Sequence, residues 1–172
     1  MKKGLITGVC TTVLMVLSVA CKTYQLGVTA EPRENVNTIG VLLAGDVVNY
    51  VESSLIYFPN MYPEEQDNNE GLGLNLTFKL PLQFEMGIVQ IFPMIAVEGR
   101  YYVDLNNEDM FDISSDHFGI GVNFGGGIDL SLNRNIFLRG KSLYQPRLAS
   151  FFEHSYRGFR FSLALGYRSR NN

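Results

Sequence analysis

The feature that most narrows what this chain can become is a hydrophobic period of two that begins after residue 21. Phe118, Ile120, Val122, Phe124, Gly126, Ile128, Leu130 and Leu132 alternate with His117, Gly119, Gly121, Asn123, Gly125, Gly127, Asp129 and Ser131. Successive side chains of an extended strand leave opposite faces, so this row describes a strand with one greasy face and one small or polar face. The design recurs in Leu72, Leu74, Leu76, Phe78 and Leu80, and in Phe159, Phe161, Leu163, Leu165 and Tyr167. Shorter rows follow it at Tyr24, Leu26 and Val28, at Ile39, Val41 and Leu43, at Val47, Val51, Leu55 and Tyr57, and at Ile95, Val97, Tyr101 and Val103. The segment from Ile136 to Tyr144 is mixed, because Phe137 and Leu143 share a face with Arg139 and Lys141. Together these rows make about eight strands, most near the roughly 9 to 11 residues that a tilted strand needs to cross a bilayer.

Composition agrees with one β-rich domain. The chain has 172 residues, 46% apolar and 18% charged, which excludes intrinsic disorder, and its 14 basic residues against 17 acidic ones leave no surplus to hold nucleic acid. Cys10 and Cys21 cannot staple a small fold, and no Cys/His cluster has zinc spacing, so neither metal nor cofactor is expected.

Lys2 and Lys3 precede an apolar run from Leu5 to Ala20 that ends in Ser18-Val19-Ala20, the pattern of a cleaved signal peptide over residues 1–20. The run is shorter than the roughly 20 residues of a spanning helix. Cleavage removes two lysines and no acid, taking the net charge from −3 to −5. Cys21 then starts the mature chain, either as a lipidated cysteine or as a free thiol.

Connections alternate in length. Gly45-Asp46, residues 81–87 and residues 133–135 read as turns at one end, and residues 59–70, 105–116 and 148–156 as longer loops at the other. Short turns inside and long loops outside is the outer-membrane pattern, with both termini beside the short turns. Pro93 cannot donate to a ladder, which places it at a bulge or at a strand start and leaves residues 94–104 to span.

Alternation alone does not say which face is inside, since a lipocalin-like barrel turns its apolar face to an enclosed ligand. The glycines decide it: Gly119, Gly121, Gly125 and Gly127 share the polar face, and a narrow barrel has a crowded lumen in which small residues fit. The expected lumen network is Glu52, Lys79, Glu98, Arg100, Asp129, Arg139, Lys141, Arg160 and Arg168, confined charges of both signs that must pair in a structural role. The expected lipid-facing set is Leu74, Leu76, Phe78, Ile120, Val122, Phe124, Ile128, Phe161, Leu163 and Leu165. Tyr24 and Tyr167 at one end, with Tyr57, Tyr101 and Tyr144 toward the other, form the expected aromatic belt.

The rows Phe118-Gly-Ile-Gly-Val-Asn-Phe-Gly-Gly-Gly-Ile-Asp129 and Gly158-Phe-Arg-Phe-Ser-Leu-Ala-Leu-Gly-Tyr167 resemble the small outer-membrane β-barrel family, the OmpA-transmembrane-like, eight-stranded porin-like proteins of diderm bacteria. The resemblance covers the whole mature chain and implies insertion by the barrel assembly machinery.

No catalytic constellation emerges. His154 and Ser155 are adjacent and would point to opposite faces of a strand, so the serine and histidine of a lipid A-modifying enzyme are not set up here. Glu64, Glu65, Asp67, Glu70, Glu108, Asp109, Asp112 and Asp116 fill two loops without a Lys or Arg, but not at calcium-loop spacing. Residues 21–172 are therefore expected to form an all-β, closed, antiparallel up-and-down transmembrane barrel. It is non-enzymatic and monomeric, bathed in outer-membrane lipid, with an envelope-structural role or an external partner met by acidic loops. The alternatives are a periplasmic lipocalin-like carrier of a hydrophobic ligand and a lipid A-modifying enzyme.

Overall fold

The computed structural model describes residues 22–32, 37–59, 69–80, 83–104, 118–146, 150–151 and 158–169. Eight long strands form the wall: β1 (Thr23–Pro32), β2 (Asn37–Val48), β3 (Val51–Phe58), β4 (Asn69–Lys79), β6 (Val89–Asp104), β7 (Phe118–Ser131), β8 (Ile136–Gln145) and β10 (Gly158–Arg168). Two short ones, β5 (Phe84–Met86) and β9 (Ser150–Phe151), lie beside β6 and β7. All pairings are antiparallel. Each long strand meets its neighbour in the chain, β10 pairs with β1, and the eight long strands close into a ring.

The registers fix its dimensions. The ladder partners of Leu138 run through Leu165, Leu26, Leu43, Leu55, Leu74 and Gly99 to Ile120. On its other side Leu138 pairs with Leu130 of β7, so the circuit returns to β7 at Ile120, ten residues from Leu130. A stagger of ten over eight strands tilts them by roughly 40° and sets a backbone radius of about 8 Å, which side chains alone can fill.

The first and last described residues, Lys22 and Ser169, lie at the end with the short connections, where Ser169 N donates to Lys22 O at 3.0 Å. Lys22 donates its backbone N–H to Asp46 O, and Arg168 donates to Asn135 O. The turn between β2 and β3 is at residues 49–50 rather than at Gly45-Asp46: Asp46 is a buried strand residue, held where its N–H bonds Thr23 Oγ1 at 3.0 Å. Gly45-Asp46 has turn composition, but the ladder from Val41 to Asp46 against β3 overrides it.

Pro93 lies inside β6, which starts four residues earlier, rather than at a bulge or strand start. Its carbonyl accepts from Leu80 N at 2.9 Å, so its missing donor faces the place where β4 has ended and β5 has not begun. A closed ring thus holds a local gap for the proline. Residues 81–87 are not one turn either, because they contain β5, which is followed by a tight turn at Gly87-Ile88. Gly87 has φ 62°, the left-handed conformation that suits a glycine opening a two-residue hairpin loop. At the opposite end Asn69 and Glu70 belong to β4, and Ser150 and Phe151 pair with Gly121 and Ile120.

The wall is inside-out relative to a water-soluble barrel. Leu26, Val28, Val41, Leu74, Val97, Phe124, Leu163 and Leu165 are exposed on the outer face, whereas Glu31, Glu52, Glu98, Arg100, Asp129, Arg139 and Arg160 are buried within. The interior also holds two apolar clusters, Leu42, Ala44, Ile56, Phe58 and Ala164, and Phe92, Met94, Ala96 and Leu143. Bulky interior rings sit where an opposing strand has no side chain. A Cβ on Gly166 would lie 2.2 Å from the Phe137 ring, and one on Gly127 2.6 Å from the Phe92 ring.

Candidate functional site

Two groups of ion pairs occupy the lumen. Near the short-turn end, Arg139 on β8 is the hub. Its Nε and Nη2 donate to the two oxygens of Asp129 at 2.6 Å each, a bidentate pair across the β7–β8 ladder, where the two residues are register partners. Its Nη1 reaches across the barrel to Glu52 Oε2 at 2.6 Å and Asp46 Oδ1 at 3.0 Å. Lys141, two residues along the same inward row, donates to Glu52 Oε1 at 2.5 Å, and Gln25 Nε2 donates to Glu52 Oε2 at 3.2 Å. Lys79 pairs with Asp46. Three acids thus face three bases, and the guanidinium of Arg139 also lies 5.2 Å from the Phe92 ring and 5.0 Å from that of Phe137.

Toward the long-loop end, Glu31 and Glu98 are clamped between Arg100 and Arg160. Arg160 donates from Nε to Glu31 at 2.7 Å and from Nη2 to both oxygens of Glu98, at 2.7 and 2.6 Å. Arg100 donates from Nε to Glu98 at 2.7 Å and from Nη1 to Glu31 at 2.8 Å, with a further bond from Nη2 to Glu31. Asn123 Nδ2 adds a bond to Glu98 at 3.1 Å, and Arg100 stands 5.3 Å from the Phe58 ring. This group is again neutral, two acids with two bases.

Charges taken out of water persist when each is paired and its remaining hydrogen-bonding positions are met. Among the described residues the interior is lined largely by paired charges, whereas a lipocalin-like carrier needs an apolar chamber. Among the described residues no group of three or more His, Cys, Asp or Glu side chains is arranged to hold a metal ion.

Eight of the nine lumen residues named from the sequence are buried and enter these two groups. Arg168 departs from that reading. As the last residue of β10 it sits at the mouth, with 37% of its side chain exposed, Nη2 3.7 Å from Asp129 and its guanidinium 4.7 Å from the Phe137 ring. Of the outward set, Leu74, Leu76, Phe78, Phe124, Ile128, Phe161, Leu163 and Leu165 are exposed, while Ile120 and Val122 are half-buried. Tyr57, Tyr144 and Tyr167 are exposed at the two ends and Tyr24 is half-buried opposite Tyr167. The Tyr144 and Phe159 rings meet at 4.8 Å. The side chain of Tyr101, residues 1–21 with Cys21, His117, His154, Ser155 and most of the acidic loops lie outside the described residues.

Sequence reasoning missed Glu31 and Asp46, one carboxylate in each group. Glu31 continues the inward row of Gln25 and Thr29, a signal obscured by Pro32 after it. Asp46 was hidden by its turn-like neighbour Gly45.

A closed eight-stranded ring with an apolar wall and a charge-filled lumen has the architecture of a small transmembrane β-barrel. The chain is similar in structure to the attachment invasion locus protein Ail of Yersinia pestis, with a TM-score of 0.49 and 10% identity over 86% of this chain and 97% of that one. It is also similar to Neisserial surface protein A, with a TM-score of 0.48 and 11% identity over 87% of this chain and 97% of that one. No protein-family model matches the sequence. No curated protein matches it either.

Proposed function

We propose that the protein is an exported barrel of a diderm outer membrane, cleaved after residue 20, that does no chemistry and presents the acidic loops 59–70 and 105–116 to a partner outside the cell or serves as an envelope-structural element. The observation that carries this reading is the reversal of polarity across the wall: Leu163 and Phe124 are exposed while Arg139 and Glu52 are buried and paired. In water that arrangement would expose a continuous apolar band and waste it, whereas in hydrocarbon it is the stable one. The loop acids, without a basic residue among them, suit a cationic or divalent-bridged partner better than an anionic one.

Membrane fractionation tests the first part. The expected outcome is recovery in the carbonate-resistant outer-membrane fraction, release by detergent, and faster gel migration unboiled than boiled. Recovery as a soluble monomer without detergent would refute it. Neutralising the acids of both loops is expected to abolish binding to immobilised polycations while leaving the heat-modifiable mobility unchanged. Undiminished binding would remove the loops from the account.

A further inference from the structure

The hairpin of β5 and β6 differs from the rest of the short-turn rim on one side only, where β5 takes the place of β4 beside β6. β4 ends at Lys79 opposite Met94, yet β6 begins five residues earlier, at Val89, with β5 at its side. Those five residues pair with β7 down to Val89 opposite Leu130, so they bring β6 to the short-turn rim that β7 also reaches, roughly 12 Å along the barrel axis from Met94. The extension is amphipathic. Phe84 pairs with Ile91, which pairs in turn with Ile128, so Phe84 continues the outer apolar face, and Phe84, Met86 and Ile88 are 65%, 69% and 62% exposed. On the opposite face Gln90 bonds Gln83 and, at 3.3 Å, Glu85.

Three facts narrow what covers these side chains. The apolar face is continuous with the wall that meets lipid in the reading above. The polar face, with Glu85, requires water. And β5 ends the sheet order, so among the described strands its far edge has no ladder partner, a costly condition in the hydrocarbon core but not where water still reaches the backbone. Deep burial and full hydration are both disfavoured, which leaves the headgroup boundary, where an amphipathic segment rests with its apolar side chains among the first methylenes.

We propose that the β5–β6 hairpin is an interfacial anchor that binds the headgroup region of the leaflet on the short-turn side, with Phe84, Met86 and Ile88 as the inserted groups. This rests on the membrane reading above, and the test separates the two. Single-cysteine variants Met86→Cys, Glu85→Cys and Leu163→Cys, each with Cys10→Ser and Cys21→Ser, are labelled with an environment-sensitive fluorophore and refolded into dimyristoyl phosphatidylcholine vesicles. Folding is checked by heat-modifiable mobility, and lipids carrying a nitroxide near the headgroup or deep in the chain serve as quenchers. The label at 86 is expected to emit blue-shifted and to lose more intensity to the shallow quencher than to the deep one. The label at 85 should emit as in water, and that at 163 should lose most to the deep quencher. A water-like label at 86 beside a deeply quenched one at 163 overturns the anchor and leaves the membrane reading intact, as does a label at 86 quenched mainly by the deep nitroxide. Water-like emission at all three positions overturns the membrane reading itself.

Discussion

At the scale of the residue, Arg139 ties three carboxylates from three strands together. It contacts Asp129, Glu52 and Asp46, and lies against Phe92 and Phe137. Removing it leaves three carboxylates facing Lys79, Lys141 and, at 3.7 Å from Asp129, the half-exposed Arg168, none of which reproduces the planar fork at Asp129. Arg139→Ala should cost about 3–5 kcal/mol, the scale for a broken buried ion pair, read from urea unfolding of the protein folded in vesicles. Arg139→Lys should recover less than half, because a point charge replaces two parallel bonds. Removing both members of the tight pair, Asp129→Ala with Arg139→Ala, should cost less than the sum of the single changes, since no orphaned carboxylate remains at that rung. An additive cycle would mean that the pair is hydrated and its geometry irrelevant.

At the scale of the element, β7 shows what the sequence carries plainly and where it falls silent. Its period of two separates Phe124 and Ile128 from Asn123 and Asp129, because each neighbour pair differs sharply in polarity and the strand lies between unlike media. β2 offers no such contrast. Val41, Leu42, Leu43 and Ala44 are apolar on both faces, since Leu42 and Ala44 belong to the interior apolar cluster, so periodicity could not extend the strand through Asp46. The mixed face of β8 has the same origin: Phe137 and Leu143 share the lumen with Arg139 and Lys141. Glycine spacing also misleads at one position. Gly125 lies on the polar row by count yet is exposed, and a Cβ there would stand 2.0 Å from the Ser142 backbone oxygen on β8. The obstacle is backbone of the adjacent strand, which cannot swing aside as a side chain does. Gly125→Ala should therefore destabilise the folded barrel by about 1–3 kcal/mol, as overpacking does. Gly140→Ala should be nearly silent, because its Cβ would meet an exposed Ile128 methyl at 3.3 Å that has room to yield. Equal unfolding midpoints for the two variants would show that the β7–β8 spacing is looser than the registers imply.

At the scale of the whole molecule, closure, polarity reversal and charge pairing form one constraint. Eight long strands staggered by ten residues leave a radius that side chains can fill, so inward residues pack the centre, and those that are charged must neutralise one another there. Closure and the outer face were legible in the sequence because period two reports directly on the contrast between the two media. Which acid meets which base was not, because pairs such as Arg160 with Glu31 join residues 129 positions apart through registers that no local pattern encodes. The outer face supplies the decisive measurement. On β10 the outward row runs Phe159, Phe161, Leu163, Leu165, Tyr167, which places Leu163 midway between an aromatic residue at either end. If hydrocarbon lies against this row, Leu163→Arg puts a guanidinium at the bilayer midplane and should cost about 2–4 kcal/mol of folding free energy in vesicles. Tyr167→Arg, at the interface, should then cost about 0–1 kcal/mol. Both positions are exposed and neither touches the lumen network, so interior packing is the same in the two variants and their difference reads depth alone. A water-facing wall would give two small and equal effects, since an exposed Leu and an exposed Tyr are about equally free to become arginine in solvent. A clear excess at 163 over 167 is the signature of lipid against the barrel.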